Sequence, residues 1–85
     1  MEIHSMGEDA YEVIVQEQKF MVILDEGTYQ ELTKEKYSVN ELIRGTFRFL
    51  VDREPLEQVM RKFNVRMVSS FFPEFPDKIE EYMED

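Results

Sequence analysis

The chain has no cysteine, which excludes disulfides and thiolate metal sites. It has one histidine, His4, which argues against a zinc site within one chain. Three glycines leave little room for a phosphate-cradling loop or a nucleophile elbow. The usual nucleophile–base pairs are missing as well. No apolar run approaches the roughly 18 residues that a membrane helix needs. The first ten residues have neither the basic start nor the apolar stretch of a signal peptide. These absences predict a cytoplasmic, non-enzymatic protein with no metal, no cofactor and no membrane partner.

What remains is 85 residues, enough for one domain. A chain of this size buries only about 60% of the surface that it exposes when unfolded, so oligomerisation is the natural supplement to its core. The net charge of -9 argues against nucleic acid at face value. The charge is uneven: -6 over residues 1–37, +2 over 38–68 and -5 over 69–85. The middle bases are Arg44, Arg48, Arg53, Arg61, Lys62 and Arg66. They read as a solvated helical face or as a weak surface for anions. The carboxylate pairs Glu8 and Asp9, Asp25 and Glu26, and Glu80 and Glu81 sit in polar runs and read as solvated surface, without the apolar enclosure that raises a catalytic pKa.

Residues 1–10 are polar and aperiodic and read as a mobile arm. Tyr11 to Leu24 is strand-like, with Tyr11, Val13 and Val15 as one alternating set and Phe20, Val22 and Leu24 as another. The break at residues 16–18 divides it into two short strands, or exposes the middle of one long one. Asp25 is an N-cap for a helix to about Lys36. Ser38 and Glu41 form a capping box, with Tyr37 and Leu42 placed as a hydrophobic staple. The helix that follows carries Val39, Leu42, Ile43, Thr46, Phe47 and Leu50 on one face. Phe49 and Val51 lie off that stripe and call for cover by a second chain or by the C-terminal segment. Pro55 ends this helix near Asp52 or Arg53. Leu56, Val59, Met60 and Phe63 predict a third helix, stopped at Asn64. Val65 to Phe72 is either more helix or a short strand. Phe71 to Pro76 reads as a loop, and Asp77 to Met83 as a last acidic helix.

Lys19 to Glu54 resembles the ribbon-helix-helix (Arc/MetJ/CopG) class. The resemblance rests on Phe20-Met21-Val22-Ile23-Leu24-Asp25 as strand plus cap, and on Ser38-Val39-Asn40-Glu41-Leu42-Ile43-Arg44 as the start of the second helix. It covers 36 of 85 residues. It implies an α+β fold of short N-terminal strands followed by three to four helices, in an intertwined homodimer. Residues 11–68 would be the domain, with an arm at 1–10 and an acidic aromatic extension at 69–85. It also implies a β-ribbon in the major groove of double-stranded DNA. Lys19, Met21 and Ile23 would face the bases, and Ser38, Val39, Asn40 and Arg44 a phosphate at the helix start. The Lys-Met-Ile face departs from the pattern, because base edges are read mainly by polar and basic side chains.

The function implied is a DNA-associated regulator, of transcription or of the antitoxin kind. Two rivals stand beside it: an acidic protein-interaction module that reads no DNA, and an acidic DNA mimic. Phe71, Phe72, Phe75 and Tyr82 in the tail either cap the domain's own core or bind a basic partner protein.

Overall fold

The computed structural model describes residues 1–84. In chain order it runs β1 (Glu2–Gly7), β2 (Ala10–Val15), β3 (Gln18–Ile23), α1 (Glu26–Thr33), α2 (Val39–Val51), one 3-10 turn (Leu56–Gln58), β4 (Lys62–Asn64), α3 (Val65–Phe71) and α4 (Phe75–Met83). The strands form one sheet in the order β1-β2-β3-β4. The first three are antiparallel, and β4 lies parallel to β3. A parallel neighbour needs a long crossover, which α1 and α2 supply.

The β2–β3 turn is two residues, Gln16 and Glu17, with φ of 50° and 68°. Both sit in the left-handed region that a type I′ hairpin turn demands, without the glycine that usually provides it. Alternation along the strands then sorts the side chains. Val13, Phe20, Val22 and Phe63 face the core and are buried, with Val13 opposite Phe20 and Val22 opposite Phe63.

The start of α2 is secured by both halves of the capping box. The Glu41 N–H donates to Ser38 Oγ at 3.1 Å, and the Ser38 N–H donates to Glu41 Oε1 at 2.8 Å. The helix is then buried on two sides. Phe47 meets Phe20 and Phe63 of the sheet edge-on, at 5.1 and 5.8 Å between ring centres. Phe49, the residue off the main stripe, meets Phe72, Phe75 and Tyr82 at 5.7, 4.9 and 5.5 Å. The C-terminal segment therefore supplies the cover for Phe49, while Val51 stays exposed. The result is three layers: sheet, α2, then α3 and α4. Phe75, Ile79 and Met83 of the C-terminal segment belong to the same core as Val13 and Phe20.

Gly45 sets the distance between the second and third layers. A Cβ placed there would lie 3.1 Å from Met83 Cγ and 3.3 Å from the Tyr82 carbonyl carbon and oxygen. A side chain there would force Met83 and the Tyr82 backbone back by a few tenths of an ångström, so glycine favours this close approach of α4.

Several expectations need correction. The ribbon-helix-helix architecture is not the one found: a four-stranded mixed sheet stands where a ribbon of one or two short strands was expected. β3 is paired along its whole length with β2, and Met21–Ile23 is paired on its other side with β4, so this part of the strand is not the free ribbon edge that was expected to meet a second chain. The stretch 1–10, read as an arm, contributes β1, which pairs with β2 from Glu2 to Gly7. The helix expected over Leu56 to Phe63 is only a 3-10 turn followed by β4. The apolar spacing fits a helix, but the free edge of β3 needs hydrogen-bond partners, and Arg61 supplies one when Met21 N–H donates to its carbonyl at 2.7 Å. Asn64, expected to stop a helix, starts one, because its side chain accepts from the Arg66 N–H at 2.9 Å.

Two outcomes test this packing by chemical denaturation. Gly45→Leu improves helix propensity, yet lowers stability by about 1–3 kcal/mol through overpacking. Ser38→Ala lowers it by about 1 kcal/mol through loss of the cap.

Candidate functional site

The residues expected to meet DNA are divided by the sheet. Lys19, Met21 and Ile23 alternate with the buried Phe20 and Val22, so their side chains leave β3 on the face away from α2. Lys19 is exposed, while Met21 and Ile23 are half-buried. Ser38, Val39, Asn40 and Arg44 lie in the first two turns of α2, on the other side of the sheet. The Ser38 hydroxyl and N–H are both engaged with Glu41, whose carboxylate already occupies the helix start.

The bases of the middle third are also dispersed. Arg53 pairs with Glu74 at 2.9 Å, and Arg66 pairs with Asp25. Arg61 donates to Gln18 Oε1 at 2.8 Å, and Arg48 donates to the Tyr82 carbonyl at 3.3 Å. Arg44 and Lys62 are exposed on different elements. Among the described residues, no group of three or more His, Cys, Asp or Glu side chains is placed to hold a metal ion, and no helix is long and apolar enough to cross a membrane.

The feature that gathers unusual side chains is a groove of about 290 Å³ between the end of α2, the strand β4 with its approach, and α3. Leu50, Val59, Phe63, Val68 and Phe72 form its floor and walls, and Met60, Met67 and Phe71 also line it. These last three are 49%, 42% and 61% exposed, large apolar side chains open to water on one small surface. Helical spacing explains the α3 pair. Val65 and Val68 turn into the core, and Met67 and Phe71, four residues apart, share another face. Among the described residues, Glu54 is the one charged side chain that lines the groove.

Arg53 braces the layer beneath. Its guanidinium carbon lies 3.6 Å from the centre of the Phe49 ring. Nε donates to Glu74 at 2.9 Å, and Nη1 donates to the Phe49 carbonyl and to the Tyr82 hydroxyl, each at 3.3 Å. The Tyr82 hydroxyl donates in turn to Asp52 at 2.7 Å. The end of α2 is thereby tied to both ends of α4. The hydrogen bond from Arg53 holds the Glu74 carboxyl below its ordinary range. On the far side of the bundle, burial and then the Glu84 carboxylate, which accepts from the Tyr37 hydroxyl at 2.8 Å, push Tyr37 up to about 12.

Of the tail residues expected to bind a partner, Phe71 and Phe72 line the groove. Phe75 is fully buried against Phe49, and the Tyr82 hydroxyl is held by Asp52 and Arg53, so these two serve the core. Sequence reasoning placed Val59, Met60 and Phe63 on the core stripe of a helix and left Met67 unassigned. The signal that could have exposed the groove was the set of large flexible apolar residues, Met60 and Met67, just before Phe71-Phe72. Compared with family models, curated proteins and solved structures, the chain matches none of them.

Glu74 carries a pH dependence with a defined sign. Its folded pKa is depressed, so its contribution is present above the unfolded value and is lost as pH falls through the folded value. Arg53→Met removes the pairing partner. The variant therefore loses less stability than the parent between about pH 5 and pH 3, read from urea midpoints across that range.

Proposed function

We propose that the protein is an acidic protein-interaction module whose groove receives an apolar segment of another protein. The observation that carries this reading is the convergence of Met60, Met67 and Phe71 on one concave surface, each with a large apolar side chain exposed to water. Apolar surface left open in one contiguous patch marks an interaction site more often than scattered exposure does. Methionine suits such a surface, because its unbranched thioether adapts to the shape of what docks. The Glu54 carboxylate at the groove, within a chain of net charge -9, favours a segment that flanks its apolar anchors with lysine or arginine. An amphipathic helix with anchors at i, i+3, i+4 and i+7 has the required form.

The test uses synthetic amphipathic peptides of this pattern, with lysine flanks or with glutamate flanks, labelled for fluorescence anisotropy. The lysine-flanked peptide binds more tightly. Phe71→Asp and Met67→Asp each weaken it by about tenfold or more with an unchanged circular dichroism spectrum, since loss of a central anchor costs upwards of about 1 kcal/mol. Absence of binding to every peptide, together with a salt-sensitive shift of duplex DNA that these variants leave intact, would overturn the proposal in favour of a DNA-associated regulator.

A further inference from the structure

The open edge of the sheet leads to a second, independent surface. The two-residue turn at Gln16-Glu17 makes Val15 and Gln18 the pair that closes the hairpin, and such a pair exchanges both backbone hydrogen bonds. The bonded pairs then recur at every second residue, Val13 with Phe20 and Tyr11 with Val22. The Leu24 N–H, which donates to the Asp9 carbonyl at 2.8 Å, continues the series. The intervening residues of β2, Ile14, Glu12 and Ala10, must turn their backbone groups toward β1. Their partners there are Glu2, His4 and Gly7. By the same alternation, Ile3 and Ser5 turn their N–H and C=O groups away from β2, where the sheet ends.

This edge lacks the usual protections. Glu2–Gly7 contains no proline and no lysine, and its one irregularity falls between Ser5 and Gly7 at the far end. The opposite edge, β4, is only three residues long.

We propose that two copies of the chain join by antiparallel pairing of β1 with β1 about a two-fold axis, with Ile3 opposite the partner's Ile3. Ile3 carries the outward-pointing groups, so this register closes two hydrogen bonds at the axis. On the core face it extends the row Phe20, Val13, Ile3 into the partner and covers Ile3, which is half-buried against the core. On the other face it sets Glu2 opposite the partner's His4. That row then reads Lys62, Met21, Glu12, His4 and the partner's Glu2, so that His4, whose Nε2 already lies 3.2 Å from Oε1 of its own Glu2, is flanked by three carboxylates. The competing register, Ile3 opposite the partner's Ser5, sets His4 against the partner's His4 and leaves Glu2 facing Met6. In the first register the Glu2 carboxylate can accept a hydrogen bond from the partner's imidazole, whereas in the second it meets only Met6, which selects the first.

Sedimentation equilibrium of the full chain at micromolar concentration reads the outcome. The expected mass is twice the 10.3 kDa of one chain. His4→Lys tightens the dimer, because it sets a permanent cation between Glu12 and the partner's Glu2. Glu2→Lys loosens it by about tenfold, because two favourable cross-strand pairs are lost per dimer. A monomer at every concentration overturns the proposal. So does a dimer that His4→Lys loosens, the sign of the competing register in which like charges meet. A dimer indifferent to both substitutions overturns it too, since its interface then lies elsewhere. Both positions are exposed on the outer face, so each variant keeps the core, and circular dichroism checks this.

Discussion

The burial of α2 on two opposite sides is the constraint from which the rest of the structure follows. Phe47 reaches into the sheet and Phe49 into the C-terminal helices, and each is essentially inaccessible to water. Full burial of one such side chain contributes about 1.5–3 kcal/mol, a large share of the stability of so small a domain. A helix buried twice needs two layers to bury it. The sheet provides one, and α3 and α4 provide the other by folding back with Phe72, Phe75 and Tyr82 around the Phe49 ring. Gly45 permits this close layer, and Arg53 fixes it by stacking on Phe49 while holding Glu74.

The groove is a by-product of the same constraint. To reach Phe49 with Phe72, the chain passes from β4 directly into α3, a helix of seven residues. Val65 and Val68 anchor that helix to the core, which turns Met67 and Phe71 outward. Met60, on the approach to β4, meets them from the other side. A short helix with two apolar faces cannot bury both in a domain of this size. The surplus face is what a partner would find. Such a partner would meet an overall acidic chain, and at the groove itself the Glu54 carboxylate.

Local signals were legible in the sequence, and non-local ones were not. The Ser38–Glu41 capping box, the Asp25 cap, the division into two strands after Val15 (a turn of Gln16 and Glu17, with the expected third break residue, Gln18, already in β3) and the buried stripe of α2 all depend on neighbours within four residues, and each can be read from the residues themselves. β4 could not be read in this way. Leu56, Val59, Met60 and Phe63 have helical spacing, and only the unpaired edge of β3, forty residues earlier in the chain, makes Lys62–Asn64 a strand. β1 was hidden for a related reason. As an edge strand with one face in water, it has a single inward apolar residue, Ile3, and so lacks the alternation that marks buried strands. The site was half legible. Phe71 and Phe72 stood out as aromatics, whereas the parting of Phe71 from Phe75, one to the groove and the other to the core, depends on where α3 ends and α4 begins.

The central claim is that the Met60–Met67–Phe71 groove is the working surface, and the methionines themselves report on it. The chain has six, at positions 1, 6, 21, 60, 67 and 83, and only Met60 and Met67 line the groove. Methionine-methyl NMR during titration with a lysine-flanked amphipathic peptide tests the claim most directly. The account predicts that the methyl signals of Met60 and Met67 shift and saturate together while those of Met1, Met6, Met21 and Met83 stay in place. Saturable shifts confined to Met21 on the outer face of the sheet, or to Met1 and Met6 at its edge, would contradict it.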